Sequence, residues 1–276
     1  MSVRVLSSAH PQWYRPAIAF RTGILRDLQR LQQRTRLVGT LHLVRTRCRR
    51  LQALLELLGE EDRADAVKRA VQKVSRLRAF HVFRQKLHVI GAPRKDVHEV
   101  ARRILKEEQR LRTTHVFDMI EQTIWRSGLP SAVPSDRQLS ERIPGMRQQH
   151  MARVERLLEQ SSRKPRRKRL HAIRLHIKQI RYQTEWLPGQ GADRAALINR
   201  LRSVQRMLGQ YEELAEFRKW ATKWGLTVGS RIKKEWKRAR KRARLVPDKL
   251  AWLPGELAAG EAWQDREDLR RPRLSG

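Results

Sequence analysis

Acidic residues are scarce. The chain of 276 residues carries 28 Asp and Glu against 62 Lys and Arg, a formal net charge of +34. Such a surface repels itself and draws in polyanions from a distance. DNA, RNA, an anionic membrane and an inorganic polyanion all meet that requirement, and composition alone does not choose among them. Cysteine is rarer still. Cys48 is the only one, which excludes a disulfide framework and any Cys-rich zinc or iron–sulfur site and fits a reducing compartment. No apolar run approaches the ~18 residues that a membrane span needs. Residues 1–20 hold Arg4, His10, Pro11 and Arg15 in place of an apolar signal core. These absences predict a soluble, cytoplasmic protein with no membrane partner.

Catalytic signatures are missing as well. The chain has no G-x-x-x-x-G-K-S/T, no G-x-S-x-G and no H-E-x-x-H. His81 and His88 are seven residues apart, but no Cys or carboxylate cluster completes a metal set around them. The expectation is a binding protein rather than an enzyme, with no metal and no cofactor. Aromatics make up 6% of the chain. Trp125, Trp186, Trp220 and Trp224 read as core and inter-helix anchors, because a base-stacking platform would interleave aromatics with basic residues.

What is present is helical. Leu, Ile, Val and Phe together make up about a quarter of the residues, above the roughly 20% below which strongly charged chains stay disordered. Leu, Arg, Gln, Glu and Ala dominate, and no stretch alternates with period two. Helices are expected over residues 16–58, bent near Gly39 and stopped by Gly59, then over 62–83 and 94–127. A Pro/Gly/Ser-rich connector follows over 128–145. Helices resume over 146–160, 166–187, 194–224 and 230–245. The remainder from 247 reads as a loosely attached tail with acids at Glu256, Glu261, Asp265, Glu267 and Asp268. The segment 231–244 holds nine basic residues and one acid, Glu235. It is expected to serve either as a third wall of an anion site or as an exposed basic helix contacting RNA or an acidic partner.

One pattern occurs twice. Leu41-His42-Leu43-Val44-Arg45 and the residues that follow match Leu170-His171-Ala172-Ile173-Arg174, 129 residues later. On a helix, His171, Arg174, Lys178 and Arg181 share one face, as do His42, Arg45 and Arg49; the fourth place of the first copy is Gln52. One residue upstream run the apolar rows Leu170, Ile173, Ile177, Ile180 and Leu41, Val44, Cys48, Leu51. Each helix is therefore expected to bury an apolar row and carry cations along its rim. From 163 to 182 there are nine Lys or Arg and no acid, whereas a solvated helix interleaves both signs. Four cationic groups over ~15 Å suit an extended chain of closely spaced anions.

These motifs resemble the CHAD family (conserved histidine α-helical domain). The matching residues are His42, Arg45, Arg49 and Arg50 in the first copy and His171, Arg174, Lys178, Arg181 and Tyr182 in the second. A following helix in the family carries a motif like L-G-x-x-R/N-D. Leu208-Gly209-Gln210-Tyr211-Glu212-Glu213 corresponds to it, with Gln205 upstream, and Phe80 to Gln85 is a poorer counterpart in the first half. Gln52 removes one expected cation, and Gln85 and Glu213 stand where the family has Asp. The resemblance covers about residues 16–246. It implies an all-α fold of two four-helix bundles related by a pseudo-twofold axis. An extension at 1–15, halves at 16–127 and 146–246, and a tail at 247–276 complete that organisation. It further implies inorganic polyphosphate as the partner, bound in a basic groove lined by both rows, and association with polyphosphate granules. By position, the ligand-facing residues are His42, Arg45, Arg49, Arg50, Arg84, His171, Arg174, Lys178, Arg181 and Tyr182. A nucleic acid, or an acidic protein for which the chain acts as a scaffold, is the second candidate partner.

Overall fold

The computed structural model describes residues 11–33, 37–127, 134–161, 166–186, 192–255 and 257. Among these the chain is all-α, without a strand. The helices are α1 (Tyr14–Gln32), α2 (Leu37–Leu57), α3 (Glu61–Gln72), α4 (Ser75–Val89), α5 (Arg94–Thr113), α6 (Val116–Arg126), α7 (Asp136–Glu159), α8 (Arg167–Trp186), α9 (Ala192–Lys223), α10 (Gly229–Ala243) and α11 (Val246–Leu250).

Where a stop signal is chemical, it holds. Gly59 takes φ 79°, its N–H bonds the Glu56 carbonyl, and the Glu60 N–H reaches back to Leu55. This paired closure needs a left-handed residue after the helix, which glycine adopts without steric penalty. Gly225 closes α9 in the same way, with φ 61° and bonds to Thr222 and, from Leu226, to Ala221.

Three expected helices are interrupted where the local sequence has no breaker of that kind. The stretch 16–58 divides between Gln32 and Leu37, and Gly39 lies inside α2. Folding α1 back on α2 buries Ile24, Leu28 and Leu31 together with Leu41, Val44 and Cys48. At about 1.5–3 kcal/mol per large buried side chain, that burial outweighs an unbroken helix. The stretch from 62 divides at Lys73–Val74, where Val74 is fully buried. The stretch 94–127 divides at His115, a non-glycine residue at φ 48°. That conformation costs roughly 1–2 kcal/mol, and the Thr114 hydroxyl donating to the Arg110 carbonyl accompanies it.

Two further expectations are corrected. Helix α7 begins at Asp136 and runs through Pro144, inside the stretch read as a connector. An internal proline costs about 3 kcal/mol, but Leu139, Ile143 and Val154 are fully buried along the same helix and together contribute more. The tail is also not loose from its start. Val246, Leu250, Leu253 and Leu257 are all buried, and Arg200 lies 3.8 Å over the Trp252 ring. The tail acids lie outside the described residues.

The chain divides into two compact units. The first comprises Met1–Asp136 and Ala215–Lys234, the second Arg137–Leu214 and Glu235–Gly276. The first has an aromatic cluster in which Phe83 stacks on Phe217 at 4.7 Å and Trp220 on Trp224 at 5.4 Å, with Arg103 4.4 Å over Trp224. Asp96, buried, accepts from the Thr227 hydroxyl at 2.8 Å and the Val228 N–H at 3.1 Å, fixing the turn after α9 onto α5. Trp186 is buried in the second unit. Trp125 is not the core anchor expected of it: it is 58% exposed, with Arg21 packed on its outer face at 4.9 Å. No described helix is long and apolar enough to cross a membrane.

Candidate functional site

The duplicated pattern lies on α2 in the first unit and α8 in the second. Both apolar rows are buried as the periodicity requires. Leu41, Val44, Cys48 and Leu51 are fully inaccessible, as are Ile173, Ile177 and Ile180, and Leu170 is nearly so. Burial pushes the Cys48 thiol up to about 12, so it serves as a small apolar filler and not as a nucleophile.

In the second unit, the cation row is assembled against α9. His171 is half exposed, Arg174 and Lys178 are half-buried, and Arg181 is only 8% exposed. The α9 side chains meet this row one after another. Gln205 accepts from Arg181 Nε at 3.1 Å and donates to the Ile177 carbonyl at 3.2 Å. Gly209 faces the Arg174 guanidinium, and a Cβ there would stand 3.4 Å from its Nε. Glu212 accepts from Arg167 Nε at 3.2 Å, and its carboxylate lies 3.5 Å from His171 Nδ1. The residues at 205, 209 and 212 thus run along α9 as 181, 174 and 171 run back along α8. The His171 contact turns Nδ1 inward, as a carboxylate beside a histidine fixes the ring.

This corrects the expectation of rows short of acids. The sequence near the motif has none, and the carboxylates arrive from another helix or from one turn away. Arg181 Nη1 bonds Glu185 at 2.6 Å, and Arg202 reaches the same oxygen at 3.2 Å. Tyr182 is buried, with Arg181 4.2 Å and Lys178 5.6 Å from its ring centre. Arg181 and Tyr182 therefore stand inside the unit as supports. The part of the row open to solvent is His171, Arg174 and Lys178, over ~10 Å.

In the first unit, His42 is exposed, and Arg45, Arg49 and Arg50 are half-buried. Arg45 is bonded to the Ser75 hydroxyl at the start of α4. Arg50 turns toward α1, 5.3 Å over the Phe20 ring. At the fourth place, Gln52 donates to Glu56 at 2.8 Å, and burial raises the Glu56 carboxyl above its ordinary range. Arg84, on α4, is exposed.

Several residues that matter carried no signal in the sequence. Arg47 pairs with Asp27, which is 1% exposed, and donates to the Gly23 carbonyl at 2.8 Å. In the second unit, His150 on α7 and His176 on α8 face each other, Nδ1 to Nδ1, at 3.1 Å. Burial, with His176 and Arg153 adding to it, holds His150 down at about 4; burial and Arg153 lower His176 as well. Among the described residues no group of three or more His, Cys, Asp or Glu is placed to hold a metal.

Residues 19–222 match the family model of the CHAD domain. Two solved structures share the fold. PptA from Streptomyces chartreusis superposes with a TM-score of 0.56 at 17% identity, covering 83% of this chain and 95% of that one. The CHAD domain from the plant Ricinus communis gives 0.56 at 16% identity, with 88% and 91% covered. No curated protein matches the chain.

Proposed function

Because the chain belongs to the CHAD domain family, we propose that it is a non-catalytic binder of inorganic polyphosphate. The observation that carries this reading is the repeated arrangement. In each unit, a histidine and basic residues run along the rim of a buried apolar row at one-turn spacing. The contact residues are His42, Arg45 and Arg49 in the first unit and His171, Arg174 and Lys178 in the second. Arginine gives planar donors to phosphate oxygens and lysine a mobile point charge. Arg181 and Tyr182 hold the second row in place, and Arg50 and Arg84 add positive charge beside the first. Phosphoryl transfer depends on carboxylates that hold metal ions at the phosphates. Here Glu212 and Glu185 are engaged with His171, Arg167, Arg181 and Arg202, which supports binding without turnover. Recruitment to polyphosphate granules follows from binding of this kind.

Calorimetric titration with polyphosphate tests the reading. Affinity should fall steeply with salt, by about 0.7 log units per contact for each log unit of salt if the polymer behaves as a single strand. Arg174→Ala with Lys178→Ala should weaken it at least tenfold. Equal affinity in that double variant would refute the assignment. Repeating the titration at pH 8 and pH 6 reads the share of histidine. Incubation with divalent metal should release no phosphate.

A further inference from the structure

Helix α10 carries a second cationic surface that the rows on α2 and α8 do not account for. Its back is anchored by Ile232, Ala239 and Ala243, all buried. Lys233, Lys234, Lys237, Arg238, Lys241 and Arg242 are all exposed. None of these six makes an ion pair with a described residue, whereas most cations described above lean on a carboxylate, a carbonyl or a ring. Their mutual spacing is that of one continuous helix. At 100° per residue they occupy an arc of about 180°, centred opposite the buried side, over an axial length of ~14 Å.

An arc that wide differs from the rows on α2 and α8. A single phosphate chain lies along one row and leaves the other side of such a helix unneutralised. A half-cylinder of charge is satisfied by anions on both flanks at once. The major groove of B-form DNA is about 12 Å wide, is bordered by phosphates on both sides and admits an α-helix, which is 10–12 Å across. The deep, narrow major groove of duplex RNA does not admit one. Four of the six side chains are lysine, and there is no Asn or Gln on this face to read base edges. We propose that the outward face of α10 binds duplex DNA through its phosphate backbone without sequence preference. This surface stands apart from the polyphosphate reading and does not depend on it.

The test uses the full chain and three probes: a mixed-sequence DNA duplex of about two helical turns, a single strand of equal length, and inorganic polyphosphate. The key variant reverses Lys237, Arg238, Lys241 and Arg242 to Glu. A control makes the same charge change at four other exposed cations, Arg94, Lys95, Lys106 and Arg126. A milder set, Lys237→Gln, Arg238→Gln, Lys241→Gln and Arg242→Gln, covers the case in which the reversal fails to fold. The native chain should prefer duplex to single strand. The α10 variants should lose duplex affinity at least 30-fold, and the control less than threefold. With about 0.9 log units per phosphate contact, the salt slope should fall from about −5 to about −2. Polyphosphate affinity should stay within threefold in the α10 variants. Equal loss in the control would reduce the effect to net charge and overturn the proposal. So would equal binding of the single strand, or a parallel loss of polyphosphate, which would make α10 part of that site. Failure of the polyphosphate reading would instead appear as unchanged polyphosphate affinity in the Arg174→Ala, Lys178→Ala variant, whatever α10 does.

Discussion

The two units solve the same packing problem with different polar seams. Five residues past the motif histidine, the first unit has Arg47 and the second His176. Arg47 pairs with the buried Asp27 of α1, while His176 meets His150 of α7. Ten residues past it stand Gln52 and Arg181, and fourteen past it a glutamate in both copies, Glu56 and Glu185. Glu185 takes two guanidinium partners, and Glu56 takes the amide of Gln52. The repeated part is the apolar row, which sets the helix face. The seams are free to diverge because each needs only to be satisfied internally. One unit came to rest on a fixed ion pair and the other on neutral imidazoles.

That contrast breaks most sharply at Arg47. Arg47→Ala would leave the Asp27 carboxylate, 1% exposed, with only the longer contact from Arg30 at 3.5 Å, and breaking the main pairing of a buried charge costs up to about 3–5 kcal/mol. Denaturant unfolding should show a loss of that order. A loss below about 1 kcal/mol would mean that Arg30 alone compensates the Asp27 carboxylate.

Acid should separate the units next. The folded-state value of His150 is about 4, below the ordinary 6.5, and His176 is lowered too. The unfolded chain then binds more protons between those values, so stability is complete above about pH 6.5 and falls as pH drops toward 4. After discounting for partial exposure, the loss is roughly 1–2 kcal/mol. Glu56 moves oppositely. Its raised carboxyl makes the ionised form the costly one, so mild acid relieves α2 at this position. Hydrogen exchange at pH 7.5 and pH 5 should show protection falling on α8 while it holds or rises on α2. Parallel changes on both helices would remove the distinction.

A smaller effect belongs to Gly209. A leucine there would displace the Arg174 guanidinium, which a Cβ alone would meet at 3.4 Å. Polyphosphate affinity should drop about tenfold, or about 1.4 kcal/mol, without a matching loss of melting temperature. The smallest effect is expected of Gln52→Arg, which gives the first row the fourth cation of the second. Glu56 would neutralise the new guanidinium and ionise more readily, so affinity should rise less than threefold. A tenfold rise would mean that the fourth position contacts ligand directly.

Much of the candidate site's arrangement was legible because it follows helix geometry. The histidine, the basic residues at one-turn spacing and the apolar row one residue before them lie within a single helix, where spacing fixes the face. Leu170, Ile173, Ile177 and Ile180 therefore fall in the core as read. Gln205, Gly209, Glu212 and Ser75 could not be assigned in this way, since their roles depend on which helix lies beside α8 or α2. Glu213 was the residue aligned with the family acid, yet its neighbour Glu212 makes the contacts to Arg167 and His171. One residue is 100° of helix, and a motif without coordinates does not resolve that. The helix breaks at 73–74 and at His115 were hidden for a related reason, because packing imposes them against local preference.

The sequence by itself determined the all-α class, the net charge of +34, the duplicated stripe and the ends closed by Gly59 and Gly225. Each depends on interactions within a few residues of the chain. Only tertiary structure decided that Arg181 and Tyr182 face inward, that a carboxylate from α9 holds His171, and that one seam is an ion pair and the other a pair of imidazoles. Those outcomes are contacts between segments 20 to 45 residues apart. Long-range contacts are selected by the burial of whole helix faces, a sum over many side chains that no local pattern contains.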